Sequence, residues 1–279
     1  MLVISATDSS GGAGLTRDVR TLTDFCVDAL CVVTAVTAQS DTRVAAVHHV
    51  PPDVIRAQIS AAFETRRVGA IKIGMLGTRA TVDVVAECLA TAQGDEASVR
   101  GDMTSTRAPT AHMPIVLDPV LVSSSGGILL DAAGRASLLE HLLPLATLIT
   151  PNVPEVGALL GEPAAADEPE LIRQGRRLLE YGTRAVLLKG GHATGEEAVD
   201  LLVTAANDVE RINSKRVTGS SRGTGCALAS GIAAGLASGQ SLAAACKNAK
   251  HYVLERLLMP GRHESEGNAP DSASSHDQC

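Results

Sequence analysis

Apolar residues in this chain recur at two spacings that take turns. The runs LVISA (2–6), LCVVTAV (30–36), AIKIGM (70–75), PIVLDPV (114–120), ATLIT (146–150) and RAVLLKGG (184–191) read as strands buried on both faces. Between them apolar residues fall three and four apart, the period of an amphipathic helix. That spacing predicts helices from Leu15 to about Phe25 and over 51–63, 80–90, 133–143, 154–161 and 168–182. The last closes at Gly182, the residue type that ends helices in a left-handed turn. AVDLLVT (198–204) and VERINSKRV (209–217) read as a hairpin turning near Asn207 and Asp208. Two more helices follow, over about 224–238 and 241–257.

Strand and helix alternate without a fixed-period repeat. This predicts an α/β protein with a single open, mainly parallel central sheet and helices on both faces. The 279 residues suit one large domain, assigned to 1–260. Two stretches lack the rhythm. Residues 92–113 are polar and mixed in charge, and are expected to form a flexible surface insertion. Residues 261–279 are expected to be a disordered tail.

Composition narrows the function. Trp is absent and the aromatic residues are Phe25, Phe63, Tyr181 and Tyr252, so the core must come from Val, Leu, Ile and Ala. With net charge −7 and scattered rings there is no basic stripe or stacking platform, which argues against a nucleic-acid partner. No run approaches the roughly 18 apolar residues of a membrane span. The apolar start of MLVISATDSSGG is short and has no basic lead-in, so a cytoplasmic protein is expected. Six cysteines form no CxxC pair. Cys26, Cys31, Cys88 and Cys246 lie in apolar runs and are expected to be small buried hydrophobes.

Ligands of such sheets bind beyond the carboxyl ends of the strands. After the first strand, Gly11, Gly12 and Gly14 let backbone approach a ligand, with Asp18 early in the next helix. Gln39 follows the second run and offers a donor and an acceptor side by side to a heterocycle edge. Met75 ends the third. Asp118 ends the fourth, where a carboxylate needs a partner or a cation. Asn152 and Glu155 follow the fifth; they fit a helix cap close to a capping box, and also a site for Mg²⁺-bound water beside phosphates. Lys189 ends the sixth and suits a phosphate, with His192 beyond two glycines.

RGTGCALAS (222–230) carries the sharpest signal. Gly223, Thr224, Gly225 and Cys226 stand where a helix begins, so free N–H groups and the positive end of the helix dipole meet there. Flexible backbone at that point makes an anion hole suited to phosphoryl transfer. A cysteine in the same turn is expected to have a lowered pKa and to act as a base. A plain helix start with a small buried thiol fits the same residues.

Taken in order, TDSSGGAGLTRD, VTAVTAQSDTRV, IKIGML, VLDPVLVSSSG, LITPNVPE, VLLKGGH and RGTGCALAS resemble the hydroxymethylpyrimidine/phosphomethylpyrimidine kinases of thiamine biosynthesis, a branch of the ribokinase superfamily. The resemblance runs from Val3 to about Leu257. It implies a ribokinase-like fold and a homodimer. It also implies ATP- and Mg²⁺-dependent phosphorylation of 4-amino-5-hydroxymethyl-2-methylpyrimidine and then of its monophosphate. Under it, Asp18 and Gln39 hold the pyrimidine and its arm, and Met75 walls the pocket. Asn152 and Glu155 serve Mg²⁺ and phosphates, Asp118 and Lys189 stand on the phosphate side, Gly223–Gly225 form the anion hole and Cys226 is the base. The chain departs from the family's usual His and Thr at Arg222 and Ala227; Arg222 keeps positive potential beside the phosphates. A pyridoxal or pyridoxine kinase on the same scaffold would share these features; a non-catalytic pyrimidine-binding regulator would share the fold but has no need of the anion hole.

Overall fold

The computed structural model describes residues 1–40, 42–98, 113–123, 126–190, 197–206, 208–217 and 222–258. Strands β1 (Leu2–Ser5), β2 (Leu30–Val33), β5 (Ile71–Ile73), β6 (Ile115–Leu117), β7 (Leu148–Ile149) and β8 (Ala185–Lys189) are parallel neighbours. Strands β9 (Glu197–Thr204) and β10 (Val209–Lys215) continue the sheet antiparallel, giving the order β10-β9-β8-β7-β6-β5-β1-β2.

Alternation along each strand builds two cores. Leu2, Ile4, Ile71, Ile73, Ile115, Leu117, Val186 and Leu188 face one side. There they meet α2 (Pro52–Thr65), α3 (Arg79–Ser98), α5 (Val153–Leu160) and α6 (Glu168–Leu179), while α4 (Ala132–Ser137) packs on α3. Val3, Val116, Leu148 and Leu187 face the other, under α1 (Gly14–Asp24), α7 (Thr224–Ala237) and α8 (Leu242–Leu258). Burial of each such side chain contributes about 1.5–3 kcal/mol. The helices carry their own start signals. Asp167 accepts the Glu170 N–H at the head of α6, and Arg176 and Arg177 stand at its negative end.

Three expectations are corrected. The run 30–36 is not one strand: after β2 the chain leaves the sheet, and β3 (Ala35–Gln39) pairs antiparallel with β4 (Val44–His49) as a separate two-stranded flap. Helix α3 does not stop at 90 but takes in residues to Ser98, since AQGDEAS holds no proline and its one interior glycine costs only about 1 kcal/mol; the rest of 92–113 and the whole 261–279 tail lie outside the described residues. Cys26, in the turn after α1, and Cys31, on β2 at the sheet edge, are exposed rather than buried, since among the described residues no further strand covers that edge; Cys88 is half-buried, and Cys246 is buried as expected.

Candidate active site

The carboxyl ends of β1, β5, β6, β7 and β8 converge on the start of α7. Gly223 is the N-cap of that helix at φ +74, and a Cβ there would collide with the carbonyl of Gly12. Only glycine lets the helix start close so tightly on the loop after β1. The first-turn N–H groups of Thr224, Gly225 and Cys226 have no partner within the helix.

Lys189 stands beside that turn. Its Nζ donates to Asp118 Oδ1 at 3.0 Å and lies 3.8 Å from Glu155 Oε2. A Cβ on Gly225 would be 3.4 Å from Lys189 Nζ and 3.5 Å from Asp118 Oδ2, so the backbone of the turn runs directly past the pair. Burial disfavours the Lys189 ammonium, but Asp118 and Glu155 outweigh it and hold the pKa above the usual lysine value. Burial raises the Glu155 carboxyl, against the pull of Lys189. Thr150 Oγ1 also donates to Asp118, at 3.3 Å. Asn152 and Glu155 form a full capping box at the head of α5: each backbone N–H is taken by the other's side chain at 2.8 Å. The structural reading of this pair is therefore realised, on a helix end that also faces Lys189.

The flap closes the other side. Ala35, Thr37 and Gln39 alternate onto its inner face, as period two requires. Gln39 is half-buried and its backbone exchanges hydrogen bonds with Ser9 Oγ at 2.8 Å. Met75 is buried in one small apolar cluster with Ala6 and Ala35, the residue that opens β3.

Three sequence expectations change. Asp18 does not reach a ligand: its side chain is sealed, with one oxygen bound to Lys72 Nζ and the other to Ser230 Oγ, both at 2.8 Å. Its place on the buried face of α1 is the reason. Arg222 is engaged by protein: it donates to Asp8 Oδ2 (3.1 Å), Ser10 Oγ (2.8 Å) and the Ser40 carbonyl (2.9 Å), tying the α7 start to the loop and the flap, and it covers Gly12. Cys226 is not acidified. Crowding by protein pushes its thiol up to about 11, although Lys72 and the Gly14 N–H act the other way.

Sequence reasoning passed over Asp8, Lys72 and Ser230. Asp8 organises the loop, accepting from the N–H groups of Ser10 and Ala13 and from Ser10 Oγ. An Asp ahead of a Ser/Gly turn is a known turn-former, and that was the available signal. Lys72 stood out as a charge between two isoleucines of a doubly buried strand. Ser230 carried no signal. Among the described residues no group of three or more His, Cys, Asp or Glu side chains gathers as a metal cluster. His192 lies outside the described residues.

Comparison with known proteins follows the same outline. The model of the family described as phosphomethylpyrimidine kinase matches residues 8–268. A hydroxymethylpyrimidine/phosphomethylpyrimidine kinase of Rhizobium meliloti is 37% identical over 270 residues, 96% of this chain and 94% of that protein. The crystal structure of a phosphomethylpyrimidine kinase from Clostridium difficile superposes with a TM-score of 0.75 at 33% identity, covering 92% of this chain and 98% of the other. An ADP complex of Bacillus subtilis pyridoxal kinase gives 0.76 at 27% identity, over 90% and 88%.

Proposed function

This chain belongs to the phosphomethylpyrimidine kinase family, and we propose that it transfers the γ-phosphoryl group of ATP to the hydroxymethyl arm of 4-amino-5-hydroxymethyl-2-methylpyrimidine, and then to the resulting monophosphate, in thiamine biosynthesis. The observation that carries this is the α7 start. A helix start with free N–H groups, a cysteine in its first turn and a lysine held between two carboxylates lie together there, and this supports the reading.

Gln39 presents its amide to the heterocycle and Met75 packs on the ring. Cys226 takes the proton of the acceptor hydroxyl when it is present as its thiolate, and becomes the thiol. The acceptor oxygen forms its bond to the γ-phosphorus as the bond to the β,γ-bridging oxygen breaks, and ADP leaves. The N–H groups of Thr224 and Gly225 face the charge on the moving group, and preorganised donors of this kind supply most in such a reaction. Lys189 neutralises phosphate oxygens in exchange for Asp118.

Asp118 and Glu155 suit Mg²⁺, which is held by one or two carboxylates plus substrate phosphates rather than by an all-protein cage. The ion, when bound, neutralises charge on the phosphates. Arg222 holds the loop and the flap around the anion hole through Asp8, Ser10 and Ser40. A homodimer in the cytoplasm completes the proposal; Val36, 51% exposed on the outer face of the flap, is open to a second copy.

The test is ADP release with Mg-ATP against the pyrimidine alcohol, its monophosphate and pyridoxal. Turnover of the first two is expected. Pyridoxal is included because a pyridoxal kinase shares the fold so closely; turnover of pyridoxal alone would overturn the assignment, and no turnover in folded, pyrimidine-binding protein would make it a binder.

A further inference from the structure

Among the described residues Lys72 is the largest fully buried side chain, and nothing in the transfer just described uses it. It lies in β5 between Ile71 and Ile73, which face the opposite core, so alternation drives its ammonium into the layer under α1 and α7. A bare ammonium there is costly unless it is paired. Asp18 pairs it at 2.8 Å, and Ser230 holds the second carboxylate oxygen. The two helices that supply these partners are the ones that form the site. Ser230 is one turn, i+4, below Cys226 on α7, and Asp18 is one turn, i+4, below Gly14 at the start of α1. The sealed pair therefore lies beneath the thiol, one helical turn in from the open site. The contact is tight. A Cβ on Gly74 would come within 2.7 Å of Lys72 Nζ and 2.5 Å of Ser5 Oγ.

We propose that Lys72 and Asp18 are positioning residues for the base: the ammonium of Lys72 stabilises the Cys226 thiolate from below, and Asp18 fixes that ammonium and limits its field. This rests on Cys226 being the proton acceptor, but the electrostatic part stands apart from it. Burial disfavours a charge on Lys72, yet Asp18, which touches it, and Asp118 hold it as the ammonium. The charges around the sulfur come from every element packed on it: Arg17 and Asp18 on α1, Lys72 on β5, Asp118 after β6 and Lys189 on β8. Of these, Lys72 and Asp18 are closed to solvent and to ligand, so their effect does not depend on what is bound.

The experiment is the pH dependence of Cys226 alkylation by iodoacetamide, read by peptide mass mapping in the full chain without nucleotide. The exposed Cys26 is the internal reference. Lys72→Met should move the Cys226 titration up and Asp18→Asn should move it down, each by about one unit or more. The double variant should fall between them. Opposite shifts are what two charges of opposite sign produce; loosened packing would expose the thiol and move both variants the same way. No shift in either, or shifts of one sign, would overturn the proposal. If Lys72→Met does not fold, Asp18→Asn decides alone, and an unchanged or upward titration overturns it. Opposite shifts with normal turnover in Cys226→Ala would keep this inference and remove the cysteine from the proposal above.

Discussion

Two lysine–aspartate pairs stand near the start of α7, alike in distance and unlike in access. Lys72 and Asp18 meet at 2.8 Å with neither side chain exposed. Lys189 and Asp118 meet at 3.0 Å, but the lysine side chain is 16% exposed. A sealed ammonium has no route to a phosphate and acts only through its field. A partly open one can trade its carboxylate for a phosphate oxygen. The same two residue types thus do different work, and burial alone separates them. It also sets their cost: a fully desolvated pair is poor evidence for stability, yet breaking it leaves an uncompensated charge in the core.

The largest expected effect falls on the group that both lysines face. Cys226→Ala should lower kcat about 10²–10⁴-fold, the range for loss of a general base, with ATP affinity nearly unchanged by equilibrium titration. Near-normal turnover would end the cysteine's role. The pH profile sharpens this. A thiol pushed up to about 11 is protonated near neutrality, so a reaction that needs the thiolate should speed up as pH rises toward that value. A flat kcat from about pH 7 to 9, with protein still folded, would break the link between thiolate and rate.

Removing one lysine at a time separates the pairs. Lys72→Met should cost about 3–5 kcal/mol in denaturant unfolding, as for a buried pair losing one partner. Lys189→Met should cost less, because Asp118 keeps Thr150 and lies nearer the open site. Its loss should appear instead as a fall of roughly 10²-fold in kcat/KM for ATP. A Lys189 variant less stable than the Lys72 variant would remove the distinction between a sealed and an open pair.

The sequence already shows this contrast in part. Alternation of apolar runs and helical spacing gave the sheet, because a parallel strand buried on both faces must be apolar throughout. Residues after the strands were readable for the same reason: polar types there interrupt an apolar run, as at Asp118 and Lys189. Other features depend on long-range packing. That Asp18 turns inward is decided by Lys72, 54 residues away. That Arg222 ties down the loop and flap is decided by Asp8 and Ser40, 214 and 182 residues away. The flap was missed because Ala35–Gln39 has the composition of a strand and nothing local says which sheet it joins. The Cys226 pKa was misjudged because a helix start was visible in the sequence and the crowding around the sulfur was not.

The smallest expected effect tests the open pair at its edge. In the capping box, Glu155 uses Oε2 to accept the Asn152 N–H, and Lys189 lies 3.8 Å from that same oxygen. Cap and charge can therefore be separated. Asn152→Ala removes the side-chain acceptor for the Glu155 N–H and should cost about 1 kcal/mol, the usual value for a lost N-cap. Glu155→Gln keeps a residue that also serves at the third position of a capping box. It should therefore melt close to the parent protein. It removes one of the two carboxylates beside Lys189, so it should need more Mg²⁺ to reach half-maximal rate. Stability would then follow Asn152 and the metal requirement would follow Glu155. A Glu155→Gln enzyme with the parent's Mg²⁺ dependence would leave Glu155 as a cap residue only, and the open pair would bind phosphate through Lys189 and Asp118 alone.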